Sequence, residues 1–179
     1  MNTGKISRWA VVPIVGVALF GITMCAQTPE PTPTPDAVFS TEAEAFASAE
    51  ETYRAYNDAY NRVDFSDPKT FEPMFALTTG EVYEADRESF SKFHAEGLVK
   101  TGDFVVTSFQ GIEFGSNPIV VSARACLDVS GSALLDADGN SLVPPERPDV
   151  YDVALEFEYQ PDVSRFRLST SRANEPSTC

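Results

Sequence analysis

Between residues 150 and 160 the side chains alternate: Tyr151, Val153, Leu155, Phe157 and Tyr159 are interleaved with Asp152, Ala154, Glu156 and Glu158. A period of two puts all five apolar residues on one face of an extended chain, so this segment reads as a half-buried strand. The same pattern occurs earlier. Val121, Ala123, Ala125, Leu127 and Val129 share one face, and Ser122, Arg124, Cys126, Asp128 and Ser130 share the other. Phe104 to Phe114 and Ile119 to Ser130 flank the turn cluster Gly115-Ser-Asn-Pro118, which predicts a hairpin of long strands with Gly111 marking a bulge. A turn at Pro161-Asp162 would place Glu158 opposite Arg165, Phe157 opposite Phe166 and Glu156 opposite Arg167. As solvent-facing pairs these charges are worth a few tenths of a kcal/mol each and have a structural role. Ser169 to Cys179 then reads as a tail.

Upstream of Asp103 the period is helical. Thr41-Glu-Ala-Glu44 has capping-box spacing, and Phe46, Ala49, Tyr53, Tyr56, Tyr60 and Val63 recur at steps of three and four, one apolar face on a helix of about six turns. Asp67-Pro68 offers a cap and a first helical residue for a short second helix from about Thr70 to Gly80, with Pro73 near its start. A third helix follows from about Glu84 to Glu96, with Phe90 and Phe93 inward and Gly97 closing it. Helices first and an alternating sheet second predict an α+β domain: three N-terminal helices packed on a curved antiparallel sheet.

The first 35 residues have a different character. Lys5 and Arg8 precede an apolar run from Trp9 to Met24, which ends at Cys25 and passes into Thr28-Pro-Glu-Pro-Thr-Pro-Thr-Pro35. This order divides the chain into a lipoprotein signal over 1–25, a Thr/Pro-rich spacer over 26–40 and the domain over 41–179. Ile22 stands three positions before the cysteine, as lipidation of Cys25 by diacylglycerol requires, while Met24 occupies a place normally held by a small residue. The apolar run is also barely long enough to remain as an uncleaved anchor, and release is a third outcome. Alternating prolines favour an extended spacer that holds the domain roughly 30 Å from the lipid, at about 3.1 Å per residue. The predicted location is the extracytoplasmic face of the cell membrane, with a lipid anchor at Cys25 as the link.

Charge and cysteine usage follow from that address. Without Lys5 and Arg8 the chain carries 11 basic against 27 acidic residues, a net charge of −16, which disfavours nucleic acid and anionic lipid headgroups as partners. Cys25 belongs to the attachment motif, leaving Cys126 and Cys179 as the one possible intrachain disulfide of the domain.

Catalytic signals are sparse. His94 is the only histidine, so a histidine-rich metal site or a Cys-His dyad has little to build on. Asp136-Ala-Asp138-Gly139-Asn140 has its glycine fourth rather than sixth, and Arg147 stands at the twelfth position; it is a hairpin turn rather than a calcium loop. No metal and no cofactor are expected. The candidate pocket residues are Tyr53, Tyr56, Tyr60, Phe90 and His94: the tyrosines form an amphipathic stripe whose hydroxyls need partners, and the same spacing also suits core packing.

Several segments together, Tyr53-Arg-Ala-Tyr-Asn-Asp-Ala-Tyr-Asn61, Thr70-Phe-Glu-Pro73, Thr78-Thr-Gly80, Asp86-Arg-Glu-Ser-Phe90, His94-Ala-Glu-Gly97, Cys126-Leu-Asp-Val-Ser130 and the terminal cysteine, resemble secreted actinobacterial lipoproteins. Such domains are similar to the nuclear transport factor 2-like, or SnoaL-like, cone, and the resemblance covers roughly Ala43 to Cys179. It implies a sheet folded around a long helix, often with a pocket between them. Some relatives are isomerases or hydrolases and many only bind. For an enzyme it would require an acid or base beside a donor such as tyrosine, and Tyr53, Tyr56, Tyr60, Asp58 and His94 are the nominees. Three functions remain open: a non-catalytic protein binding a small apolar ligand or a partner protein, an envelope interaction module without a pocket, and a pocket enzyme.

Overall fold

The computed structural model describes residues 38–179, so the signal, Cys25 and nearly all of the spacer lie outside the described residues. Helix α1 (Glu42–Asn61) begins where the sequence places it: Thr41 is extended and its hydroxyl accepts from the Glu44 amide at 3.2 Å. The Glu44 carboxylate reaches one residue further back than a capping box requires, to the amide and hydroxyl of Ser40 at 2.8 and 2.6 Å. A cap of this kind is worth about 1 kcal/mol.

The middle of the helical half differs from expectation. Asp67 accepts from the Lys69 amide and starts a 3-10 turn at Pro68–Phe71, which passes into a single-turn α2 (Glu72–Phe75). The predicted extension of this helix to Gly80 does not form; Gly80 instead opens α3 (Gly80–Glu96), one turn earlier than the predicted start at Glu84. Thr78 explains the break, because it leaves the helix to bridge Leu168 of the last strand, with the Thr79 amide donating to the Leu168 carbonyl at 2.9 Å. Gly97 closes α3 in the left-handed conformation at φ 65°.

Six strands follow: β1 (Val99–Thr101), β2 (Val105–Ser116), β3 (Ile119–Asp128), β4 (Ala133–Leu135), β5 (Val150–Gln160) and β6 (Arg165–Ala173). The long ones form an antiparallel sheet in the order β2-β3-β5-β6, and β1 pairs with β4 in a separate ribbon. β1 escapes sequence reading because three residues are too few to display a period. Register shifts near Val106, Gly111 and Glu156 bend the sheet, and α1 lies across β2, β3 and β6 on one face. The shift beside Gly111 is the predicted bulge. Gly111 also lies under a side chain of α1, since a Cβ there would stand 2.3 Å from the Phe46 ring.

The β5–β6 register corrects the predicted pairing by two residues. Four residues, Pro161 to Ser164, are spent in the turn, so Glu158 faces Arg167 and Phe157 faces Leu168. From Phe157 to Gln160 a shift of two keeps each side chain on its own face, and Phe157, Phe166 and Leu168 are all fully buried; at the bulge beside Glu156 the shift becomes three. Glu156 moves opposite Thr170, and no Glu158–Arg167 ion pair forms among the described residues. The predicted tail also begins later than Ser169, because β6 runs to Ala173.

Beyond β6 the chain returns across the face of the sheet that α1 does not cover. Cys179 reaches Cys126 there in a disulfide with Cα atoms 5.7 Å apart. Cys126 lies opposite Asp152 in the ladder, and Asp152 is completely buried under the returning chain. Its carboxylate accepts from Arg124 Nε at 2.9 Å, Asn174 Nδ2 at 2.8 Å, and the amide and hydroxyl of Thr178 at 3.0 and 2.7 Å. These bonds, the Thr178 hydroxyl foremost, hold the Asp152 carboxyl well below the usual carboxylate range.

Candidate functional site

The tyrosine stripe of α1 meets an interior filled with rings. Tyr53 stacks on Tyr56 at 6.3 Å and packs its other sides on Phe109 and Phe157 at 6.2 and 6.4 Å. Tyr60 carries the row onward to Phe104 at 4.8 Å and Phe90 at 5.8 Å. Tyr53 and Phe90 are each 2% exposed, so these two candidates are core side chains rather than the walls of an open pocket. His94 is exposed at the end of α3, with Nδ1 2.6 Å from the Phe65 carbonyl, a contact that ties the helix to the preceding loop. Asp58 is solvated, as its place off the stripe requires.

One polar contact interrupts the rings. Asp86, on the inner side of α3, accepts from the Tyr56 hydroxyl at 3.2 Å. Burial pushes the Asp86 carboxyl up to about 6, against the lowering effect of that hydrogen bond. Burial and then the Asp86 charge push Tyr56 well above its ordinary value, and the same two causes raise Tyr60 to about 12. A carboxyl poised near 6 beside a hydroxyl has the composition of an acid–base pair. Neither Tyr56 nor Asp86 borders the recesses lined by Ile112, Tyr60, Thr78, Ser48 or Arg54. Sequence reading missed Asp86 as a partner for the stripe, although its four-residue spacing from Phe90 puts both on one side of α3.

Because the raised value belongs to the folded state, the folded chain holds a proton between about pH 4 and 6 that the unfolded chain releases. The Asp86 contribution therefore falls as pH rises through that window, and the penalty is complete above it. Asp86→Asn removes the charge and keeps an acceptor for Tyr56. The variant is expected to gain on the order of 2 kcal/mol over the parent at pH 7.5. The gain should vanish toward pH 4 when the two are compared by urea denaturation.

One open space lies at the far end of the stripe. A recess of about 250 Å³ is bordered by Tyr60 of α1, Phe93 of α3, and Phe104 in the approach to β2. Leu134 of β4, with Leu142, Val143 and Pro144 from the following connection, adds to its apolar lining. Two cations border the same space, Lys100 from β1 and Arg147 from the proline-rich connection, and no carboxylate does. Lys100 sits over the Tyr60 ring at 5.7 Å and donates to the carbonyls of Asn61 and Gly102, each at 3.1 Å. Arg147 donates to the Val129 and Ser132 carbonyls and to the Ser132 hydroxyl at 2.7, 3.0 and 3.2 Å. Of the sequence-predicted pocket residues, Tyr60 alone reaches this recess. The β1–β4 ribbon builds it, and that pairing carried no sequence signal.

Helices gathered on one face of a curved antiparallel sheet define an α+β cone-like domain. No protein-family model matches the chain, and no curated protein matches it. Solved structures are similar in fold. The intermembrane space region of the chloroplast protein ARC6 is 13% identical at a TM-score of 0.49, covering 72% of this chain and 95% of that one. A provisionally assigned aromatic ring hydroxylase from Novosphingobium aromaticivorans is 14% identical at 0.46, covering 75% and 90%. A protein of unknown function with a cystatin-like fold from Methylobium petroleophilum is 11% identical at 0.37, covering 74% and 80%. At these identities no residue role transfers.

Proposed function

We propose that this chain is a lipid-anchored, extracytoplasmic lipoprotein with a nuclear transport factor 2-like, SnoaL-like domain that binds a ligand rather than transforming one. The order of basic residues, apolar run, Cys25 and proline spacer supports the anchor. The Cys126–Cys179 disulfide supports an oxidising compartment. The observation that carries the binding reading is the contrast between a ring-filled interior around the Tyr56–Asp86 pair and an apolar recess left open at the end of the stripe. The filled interior also favours a second reading, an envelope interaction module that uses its outer surface.

The natural product decides the first half. Its intact mass should equal that of residues 25–179 plus diacylglycerol and any N-acyl chain; the mass of the unprocessed chain would refute lipidation. Native mass spectrometry of the same material tests the second half. A co-purified small molecule supports ligand binding, and turnover abolished by Asp86→Asn would replace this reading with that of an enzyme.

A further inference from the structure

We propose that the recess between the ends of α1 and α3 and the β1–β4 ribbon binds a small apolar carboxylate, its ring or chain against the aromatic wall and its charge between Lys100 and Arg147. The inference deepens the binding reading above and rests on it. Three independent features converge there.

The first is charge. In a chain with 27 acidic residues, two of the few cations border one recess. Neither makes an ion pair among the described residues, whereas Arg54, Lys92, Arg124 and Arg172 each do. Asp103 is the acidic group that bears on Lys100, and it does not border the recess. An anion entering this space meets two cations whose charge has not been neutralised by contact.

The second is donor capacity. Both cations are held by carbonyl and hydroxyl oxygens, which fix their positions without cancelling their charge. An ammonium has three donors and a guanidinium five; two of the Lys100 protons and three of the Arg147 protons are engaged in the bonds described above. The remainder suit the oxygens of a carboxylate. Burial lowers the Lys100 pKa, so an anion beside it would also relieve the cost of desolvating that charge.

The third is size and surface. About 250 Å³ is the space of roughly eight waters at about 30 Å³ each, which suits a single ring or a short branched chain with its headgroup. The stacked pair Tyr60 and Phe104 contributes aromatic surface to the lining, and Leu142, 47% exposed, borders the same space with apolar surface that a ligand would cover. An apolar enclosure with a small number of placed polar groups is the usual composition of a ligand site.

The test uses the full chain in lipid nanodiscs with methyl-labelled Ala, Leu and Val, titrated with phenylacetate and with its neutral isostere phenylacetamide. The methyls of Ala133, Leu134, Leu142 and Val143 should shift on adding phenylacetate, with affinity at least about ten-fold tighter than for the amide, a difference of about 1.4 kcal/mol. Lys100→Met should bring the ratio close to one. Because that substitution also removes two backbone contacts, Leu142→Glu is compared with Leu142→Gln: the glutamate should abolish the preference for the anion and the glutamine should keep it. Equal affinity for anion and amide at these methyls overturns the carboxylate assignment and leaves ligand binding standing. An absence of shifts in a folded chain that carries a co-purified molecule elsewhere overturns the recess as the site. An absence of shifts with no co-purified molecule overturns both this inference and the ligand-binding reading.

Discussion

Replacing Cys126 and Cys179 together by alanine is expected to destabilise the domain by about 4 kcal/mol in the chain-entropy model, because the bridge closes a loop across 53 positions in the unfolded chain. The bridge also holds the last residues over Asp152. Thr178, next to Cys179, supplies two of the hydrogen bonds to that buried carboxylate, through its amide and its hydroxyl. Once the bridge is gone the end of the chain can lift, water reaches Asp152, and part of the carboxylate's folded-state advantage disappears with it. The bridge and the carboxylate should therefore not be additive. Asp152→Asn in the bridged chain should lower the melting temperature substantially; in the alanine pair it should lower it by clearly less. Guanidinium denaturation of the four proteins measures the coupling, and strict additivity would show that the returning chain holds without the bridge.

The same carboxylate sets an acid limit of opposite sign to that of Asp86. Asp152 is held below its unfolded value, so its contribution is present above the ordinary carboxylate range and is lost as pH falls through the folded value. Asp86 works the other way between about pH 4 and 6. The two lie on opposite sides of the sheet, one in the ring-filled interior and one beneath the C-terminal return.

What was legible in the sequence followed from period. The alternation in β3 and β5 and the three-four spacing in α1 survive because each element has one face in the core and one in water, and Thr41, Asp67 and Gly97 mark their ends by chemistry local to the chain. Pairing was less legible. The two-residue slip between β5 and β6 keeps the same faces buried, so no apolar pattern could have separated the two registers; a four-residue turn selected one. Asp152 illustrates a second limit. In an alternating strand a solvent-side aspartate is ordinary, and only the return of Cys179 to Cys126, some fifty residues away, makes it a buried charge. The recess shows a third. Lys100, Leu134 and Arg147 belong to three separate short segments, and their convergence depends on β1 pairing with β4 across an intervening hairpin. Tyr60 was found because it belongs to the stripe, and its ring is where the legible helix meets the part of the fold that local sequence does not encode.

Phe90→Ala should have an effect of similar size to loss of the disulfide, about 3–5 kcal/mol. Phe90 is 2% exposed and touches the rings of Phe65, Phe71, Phe75 and Tyr60 at centroid distances from 5.1 to 5.9 Å. Rings held by so many neighbours on four helical or loop segments cannot all move inward, so the space is expected to persist as a dry cavity. A dry apolar cavity takes up a small aromatic molecule. Benzene at saturation should therefore raise the melting temperature of the variant by clearly more than that of the parent, as binding to a cavity present only in the folded variant requires. A loss below about 1 kcal/mol with no response to benzene would mean that the cluster collapses to refill the space. The expected result has a functional consequence: the interior under the tyrosine stripe is closed by packing of Phe90 and its neighbours rather than by the shape of the sheet. The recess at Tyr60 is then a space that this packing leaves open, and it is where the proposed ligand is to be sought.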